Sequence, residues 1–338
     1  MKKFLIILSL LFLAIQTSNA QVGSYTGAFA RMGFGARGLS MGNAMVSNVF
    51  GDVAGYYNPA LPAFQEEGIV NLGYTFLSLD RKLNFVGFAK KFKLPKQENG
   101  GAGISLSWIN SGVSDIDGRD NDTRQIGMFS TSDNQFYLGT SFLLSDKFAL
   151  GVGFKFYFSK LFDDVTENSI GFDLGAVMKA TENLSFGFAV RDLAAKYEWN
   201  TSKLYGSTFG NTTEDKFPTI IDFGGSYKLP NGLGSVSLET EYILNPTLKD
   251  NSNANKKNNF YLKAGGELIL VQQLRVRAGI ERIDFSSDDI LGNLKPSAGV
   301  GFYKNISPTM LLGLDYSFTL ESYTHKPIQN ISLGFKFK

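Results

Sequence analysis

The chain has 338 residues, no cysteine, one histidine, 30 phenylalanines, 37 glycines and a formal net charge of +2. The missing cysteine excludes a disulfide framework and thiolate chemistry. The near-neutral charge, without a basic run, argues against nucleic acid as a partner. Mean hydropathy is near zero although Gly and Phe are abundant, which suits apolar and polar positions that alternate and average out.

Residues 1–20 read as a secretory signal. Lys2 and Lys3 form the charged end and Phe4 to Ile15 the apolar core. Ser18-Asn19-Ala20 supplies the small residues of a cleavage site, which puts the mature start at Gln21. The apolar run is too short to span a bilayer, and no later stretch forms a transmembrane helix.

Residues 21–67 lack two-residue alternation and are dense in Gly and Ala. The pattern predicts one short helix within Ala36 to Val49, weakened by Gly38 and Gly42. Tyr56-Tyr57-Asn58-Pro59-Ala60 marks a turn or a helix start. Phe29, Phe34, Met41, Met45, Val49 and Tyr56 make the segment too apolar for a solvated leader. The expectation is a hatch or plug inside a barrel formed by residues 68–338.

From Ile69 onward the chain reads as about fourteen membrane-crossing strands. Phe148 to Phe158 shows the pattern most clearly. Phe148, Leu150, Val152, Phe154, Phe156 and Phe158 alternate with Ala149, Gly151, Gly153, Lys155 and Tyr157. Ten or so residues is the length a tilted strand needs to cross a bilayer. The same alternation recurs to the last strand, where Ile331, Leu333, Phe335 and Phe337 oppose Ser332, Gly334 and Lys336. The second strand, near Asn84 to Phe92, alternates poorly.

Tight turns at 145–147, 181–183, 230–232, 271–273 and 305–308 alternate with longer polar loops at 112–133, 159–168, 193–218, 244–259, 283–295 and 319–328. Short turns on one rim and long loops on the other are the outer-membrane layout, with the short side periplasmic. An even strand number then places both termini on the periplasmic side. The fold expected is an all-β transmembrane antiparallel barrel with an N-terminal plug, in a bacterial outer membrane and in contact with its lipid.

A cation facing lipid at the midplane costs about 2–4 kcal/mol. Lys155, Arg191, Arg275 and Arg277 lie opposite the Phe, Leu and Val faces, so they must point into the lumen with Asp173, Glu239, Glu241, Glu281 and Asp315. Arg275 and Arg277 either receive the carboxylate end of an amphipathic substrate or pair with Glu239, Glu241 and Glu281. Pairing is favoured, because buried charge is costly unless paired.

Catalysis has little support. His325 lies in an outer loop with no nucleophile turn nearby, so no enzyme activity is expected. No Cys/His cluster suggests a metal or cofactor. Asp115 to Asp122 resembles half a calcium loop, but Ile126 and Gly127 stand where the closing Glu would be. Residues 251–259 are Asn-rich and read as a surface loop. Leu193, Tyr197, Trp199, Leu204, Tyr205 and Phe209 in the seventh-strand loop are candidates for an outer-rim apolar pocket. An interfacial aromatic belt is the commoner role for such residues.

The stretch GFGARGLSMGNAMVSNVFGDVAGYYNPALPAF resembles the N-terminal signature of the PorV/PorQ family, which is related to FadL-like outer-membrane transporters. The resemblance rests on Gly35, Ala36 and Arg37, on Met41, Gly42 and Ala44, on Asp52, and on Asn58, Pro59 and Ala60. Leu61 departs from the usual Asn-Pro-Ala-Gly form. The FadL-like side implies a luminal hatch and diffusion of hydrophobic small molecules such as long-chain fatty acids. The PorV/PorQ side implies a type IX secretion component that binds secreted cargo proteins or secretion-system subunits. The leading expectation is passage of a hydrophobic molecule; secretion is the alternative, and a plain structural or porin-like barrel the third reading.

Overall fold

A computed structural model describes residues 25–52, 55–78, 80–94, 100–246, 258–285, 290, 294–321 and 327–338. The signal segment with its cleavage site, His325 and most of the Asn-rich loop lie outside the described residues.

Alternating apolar faces become strands that pair with their neighbours in sequence. In order they are β1 (Gly68–Phe76), β2 (Lys82–Lys93), β3 (Gly101–Arg119), β4 (Gln125–Ser145), β5 (Phe148–Phe162), β6 (Val165–Lys179) and β7 (Leu184–Leu193). After β7 a small outer hairpin, β8 (Lys196–Asn200) and β9 (Thr212–Lys216), leaves the wall. The wall resumes with β10 (Thr219–Lys228), β11 (Gly234–Leu244), β12 (Asn259–Val271), β13 (Leu274–Ile283), β14 (Lys295–Ser307), β15 (Met310–Leu320) and β16 (Pro327–Phe337). Without β8 and β9, fourteen strands form one closed antiparallel barrel. Closure runs through β1 and β16, where Gly68 faces Phe337 and Leu72 faces Leu333. No backbone edge is left in the lipid, as a spanning sheet requires. The first and last wall strands thus end on the same rim, the one that carries the short turns.

Exposure follows the pleat. On β5, Leu150, Val152, Phe154, Phe156 and Phe158 are exposed, whereas Ala149, Lys155 and Tyr157 are buried. The apolar belt therefore looks outward and the charges look inward, the inverse of a soluble barrel.

Residues 25–67 pack inside the wall. They contain a 3-10 turn at Ala28–Arg31, helix α1 at Gly35–Ser40 and a second 3-10 turn at Leu61–Phe64. Inward glycines of seven strands receive this segment. A Cβ at Gly103, Gly151, Gly175, Gly187, Gly265, Gly279 or Gly299 would overlap Pro62, Pro59, Asn58, Val46, Met41, Gly42 or Ser40, respectively. These inward glycines make room for the segment, for its backbone at all but Gly175 and Gly299, which meet the Asn58 and Ser40 side chains.

Two expectations change, and one irregularity of the sequence gains a cause. The helix within Ala36 to Val49 ends at Ser40, because Gly42 (φ 60°) and Asn43 (φ 56°) turn left-handed while Gly42 presses on Ile280. The poor alternation of β2 has a packing cause. Its inward Leu83, Phe85 and Ala89 are buried, and Phe34 packs edge-on against Phe85. Residues 112–133 and 159–168 are mostly strand, not loop. β3 and β4 are 19 and 21 residues long and turn only at 120–124, and β5 and β6 turn at 163–164. A hairpin above the lipid still satisfies its own backbone and no longer needs one greasy face, so alternation fades before pairing ends.

Candidate functional site

The interior of the barrel is a lattice of side chains that joins the N-terminal segment to the wall. Asn58 shows how the sequence builds it. Its Oδ1 accepts from Ala60 N at 2.9 Å and sets the turn before Leu61–Phe64. Its Nδ2 donates to Val46 O (2.9 Å) within the segment and to Ala176 O and Phe188 O (3.1 and 3.2 Å) on the wall. Tyr57 Oη donates to Asn43 Oδ1 at 2.8 Å and accepts from Phe34 N at 2.9 Å. Burial pushes the Tyr57 phenol well up, so it stays neutral.

Arg37 lies in α1 and is almost fully buried. It donates to Phe50 O (2.6 Å) and Asp52 O (2.8 Å), which fold residues 48–52 around it. Its Nε reaches Glu267 Oε2 on β12 at 3.2 Å. Asp52 in turn pairs with Lys336 of β16. Burial alone would raise the Asp52 carboxyl, but Lys336 and Arg37 hold it below the ordinary value. Ala36 N donates to Ser332 Oγ at 2.8 Å, Asn43 Nδ2 to Glu281 Oε2 at 3.1 Å and Val46 N to Glu239 Oε2 at 2.8 Å. Met41, Gly42 and Ala44 supply small or flexible volume against the wall.

The wall charges form three groups. Lys155 lies 2.9 Å from Asp173 and 2.7 Å from Asp192, and Tyr157 Oη donates to Asp192 at 2.7 Å. Arg191 pairs with Asp222 (2.7 Å) and Glu241 (3.4 Å), while Lys263 bridges Glu241 (2.6 Å) and Glu239 (3.1 Å). Arg277 pairs with Glu267 (2.6 Å) and Asp315, and its Nη2 donates to Tyr303 Oη at 2.8 Å. Arg275 lies over the Tyr303 ring, 4.0 Å from its centre.

The partners expected for Arg275 and Arg277 thus need correction. Neither pairs with Glu239, Glu241 or Glu281. Strand register puts Glu267 opposite Arg277, whereas Glu239 faces Lys263. Lys263 and Glu267 were legible by extending the alternation of β12 inward from Phe260. Asp192 was hidden for a different reason. It follows inward Arg191, so simple alternation aims it at lipid. A left-handed step (φ 61°) turns both side chains inward.

The six outer-rim candidates divide. Tyr197 is buried, and Leu193 and Trp199 are half-buried. Tyr197 packs with Trp199 and with Phe217, which stacks on Tyr157. Leu204, Tyr205 and Phe209 sit on helix α2 (Ser202–Phe209) at the hairpin tip, with Phe209 82% exposed. Two cavities flank the hairpin base. One of about 500 Å³ is lined by Phe156, Tyr157, Phe158, Ile170, Lys196 and Glu198 among others. The other, about 440 Å³, lies beside Ala195, Phe217 and Leu244.

Fold and interior together define a fourteen-stranded transmembrane barrel filled by its own N-terminal segment. No protein-family model matches the chain, and no curated protein matches it in sequence. Solved structures do. A TodX monoaromatic hydrocarbon channel mutant is similar over 90% of this chain and 99% of its own, with TM-score 0.62 and 14% identity. The Ralstonia pickettii toluene transporter TbuX gives 0.57 at 13% identity, over 90% and 98%. A Pseudomonas aeruginosa FadL homologue gives 0.56 at 14%, over the same shares. At such identities the likeness establishes a shared fold, that of FadL-like channels.

Proposed function

We propose that this barrel passes small hydrophobic molecules across a bacterial outer membrane by diffusion, with residues 25–67 as its hatch and the C-terminus periplasmic. The described segment begins at the long-loop rim, where Tyr25 accepts from Asn259 and packs on Ile220 and Ile243, not at the periplasmic rim expected for the N-terminal side. The observation that carries the reading is a closed barrel whose lumen is occupied by a segment tied to β7, β11, β12 and β16 through hydrogen bonds and ion pairs, and packed on the β2 to β4 side through an apolar cluster of Phe34, Leu61, Phe85 and Ile109. The polar side of this seam can be re-solvated when the segment shifts, so a path can open there while the apolar side stays packed. The fold shared with monoaromatic hydrocarbon and toluene channels supports it. The cavity of about 500 Å³ at the hairpin base is large enough for a small molecule and joins inward Tyr157 to the outward-facing Phe156, Phe158 and Ile170 at the rim of the wall. Long-chain fatty acids and monoaromatic hydrocarbons are the substrate classes to compare. The charges inside engage one another, so no enzymatic step is assigned to them.

A PorV/PorQ-type role in type IX secretion is the second reading. It draws on the GAR, MGNA and NPA residues of the signature and on the bare apolar tip of Leu204, Tyr205 and Phe209, which suits a cargo protein or secretion subunit. Native mass spectrometry of the barrel taken gently from its own outer membrane separates the two. A retained hydrocarbon or lipid of defined mass supports passage. A retained protein with no small ligand overturns it in favour of secretion.

A further inference from the structure

The outer hairpin and the N-terminal segment meet at one place. Phe217, just after β9, stacks on Tyr157 with ring centres 4.7 Å apart and packs against Tyr197 at 5.0 Å. The other side of the same ring fills the space beside Gly27, where a Cβ would overlap it and where φ is 69°. Arg31 closes the contact. Its guanidinium lies 5.8 Å from the centre of the Phe217 ring and 3.4 Å from Asp192, and it donates to Thr26 O at 2.6 Å, bracing the turn Ala28–Arg31. Ala30 is buried in the same aromatic cluster.

The hairpin leaves the wall at this point. Asp192 and Ala194 both have left-handed backbone (φ 61° and 62°), so the chain turns away from the wall immediately before β8. The hairpin meets the wall through few bonds, Lys196 N to Ser169 Oγ at 2.9 Å among them. Cavities lie on both sides of its base.

We propose that Phe217 and Asp192 are positioning residues of an outer latch, which holds the first turn of the hatch in place from the extracellular side. Phe217 wedges against Gly27, and Asp192 grips Arg31 while also anchoring Lys155 and Tyr157 of the wall. Lifting the hairpin removes the wedge and takes the Phe217 ring from beside Arg31, whose one ion pair is with Asp192 of β7. An apolar molecule arriving at the outer cavities meets the aromatic face of this latch before it meets the hatch. The inference rests on residues 25–67 acting as the hatch, and it places control of that hatch outside the cell.

The chain has no cysteine, so one reporter is clean. Ser40→Cys places a thiol at a fully buried hatch position outside the Phe217 cluster. The full-length protein in lipid nanodiscs is labelled with a fluorescent maleimide, and heat-modifiable gel migration checks that each barrel is folded. Phe217→Ala and Arg31→Gln are expected to speed labelling at least fivefold, and Phe217→Tyr to restore the parent rate. Phe209→Ala at the exposed tip should leave it unchanged. Equal labelling in Phe217→Ala and Arg31→Gln barrels that remain folded overturns the latch. Toluene entry into proteoliposomes is read on the same variants. Faster labelling with faster entry supports latch and passage together. Faster labelling with unchanged entry keeps the latch and overturns the passage reading.

Discussion

Arg37 of the N-terminal segment and Arg277 of β13 share one carboxylate. Arg277 Nε is 2.6 Å and Arg37 Nε 3.2 Å from the same Oε2 of Glu267. Each cation lies almost fully out of water, so Glu267 is at once the N-terminal segment's anchor and the wall's counter-ion.

Glu267→Gln leaves Arg277 with Asp315 as its one paired carboxylate and takes from Arg37 its direct ion pair, leaving the Phe50 and Asp52 carbonyls. Removing one partner of a buried ion pair costs about 3–5 kcal/mol. The expected outcome is a lower unfolding midpoint in urea and faster proteolysis of residues 25–67, with the barrel still heat-modifiable. An unchanged midpoint would show that the carboxylate is not the anchor.

Gly279 and Gly42 approach back to back, and a Cβ at 279 would overlap the Gly42 amide nitrogen. Gly279→Val must push backbone away rather than a flexible side chain. We expect a folded barrel with a displaced hatch, read as protease sensitivity near residue 42. Gly225→Ala is the control. Its nearest neighbour would be the Phe186 ring at 3.4 Å, an ordinary contact, so no change is expected.

Leu174 is exposed on the outer face of β6, 48% accessible. Leu174→Arg should cost about 2–4 kcal/mol if this face meets lipid near the midplane. Unfolding from vesicles measures it. A loss well below 1 kcal/mol would place the lipid belt elsewhere.

Asp52 gives the hatch an acid-sensitive tie. Its carboxyl is held below the ordinary 3.8 in the folded chain: burial pushes it up, but Lys336 and Arg37 outweigh that. A depressed folded value adds stability above the ordinary pKa, and that stability is lost as pH falls through the folded value. Hatch protection from protease should be flat from pH 8 to 5 and fall below about pH 4. Asp52→Asn should lower protection at neutral pH and remove the part of the acid step that Asp52 supplies.

Strand number, closure and facing were legible in the sequence because lipid imposes a two-residue period that no soluble core imposes so consistently. Apolar faces recurring along nearly every strand, with most charges on the opposite parity, left one arrangement. The period said nothing where lipid does not reach. It lapsed at β2, whose inner face meets Phe34, and along the outer halves of β3 to β6, whose hairpins continue in water.

Ion-pair partners and the contact of Phe217 with Gly27 were decided by tertiary structure alone. Alternation tells which way Arg277 points, but only the stagger between β12 and β13 sets Glu267 beside it. Asp192 turns inward through a backbone step that alternation cannot express. Phe217 and Gly27, 190 residues apart in sequence, meet because the barrel closes around the segment that precedes it. Sequence sets the face of each strand, since that depends on local period and solvent. The shape of the lumen depends on register and on the path of the hatch, which exist only once all fourteen strands have paired.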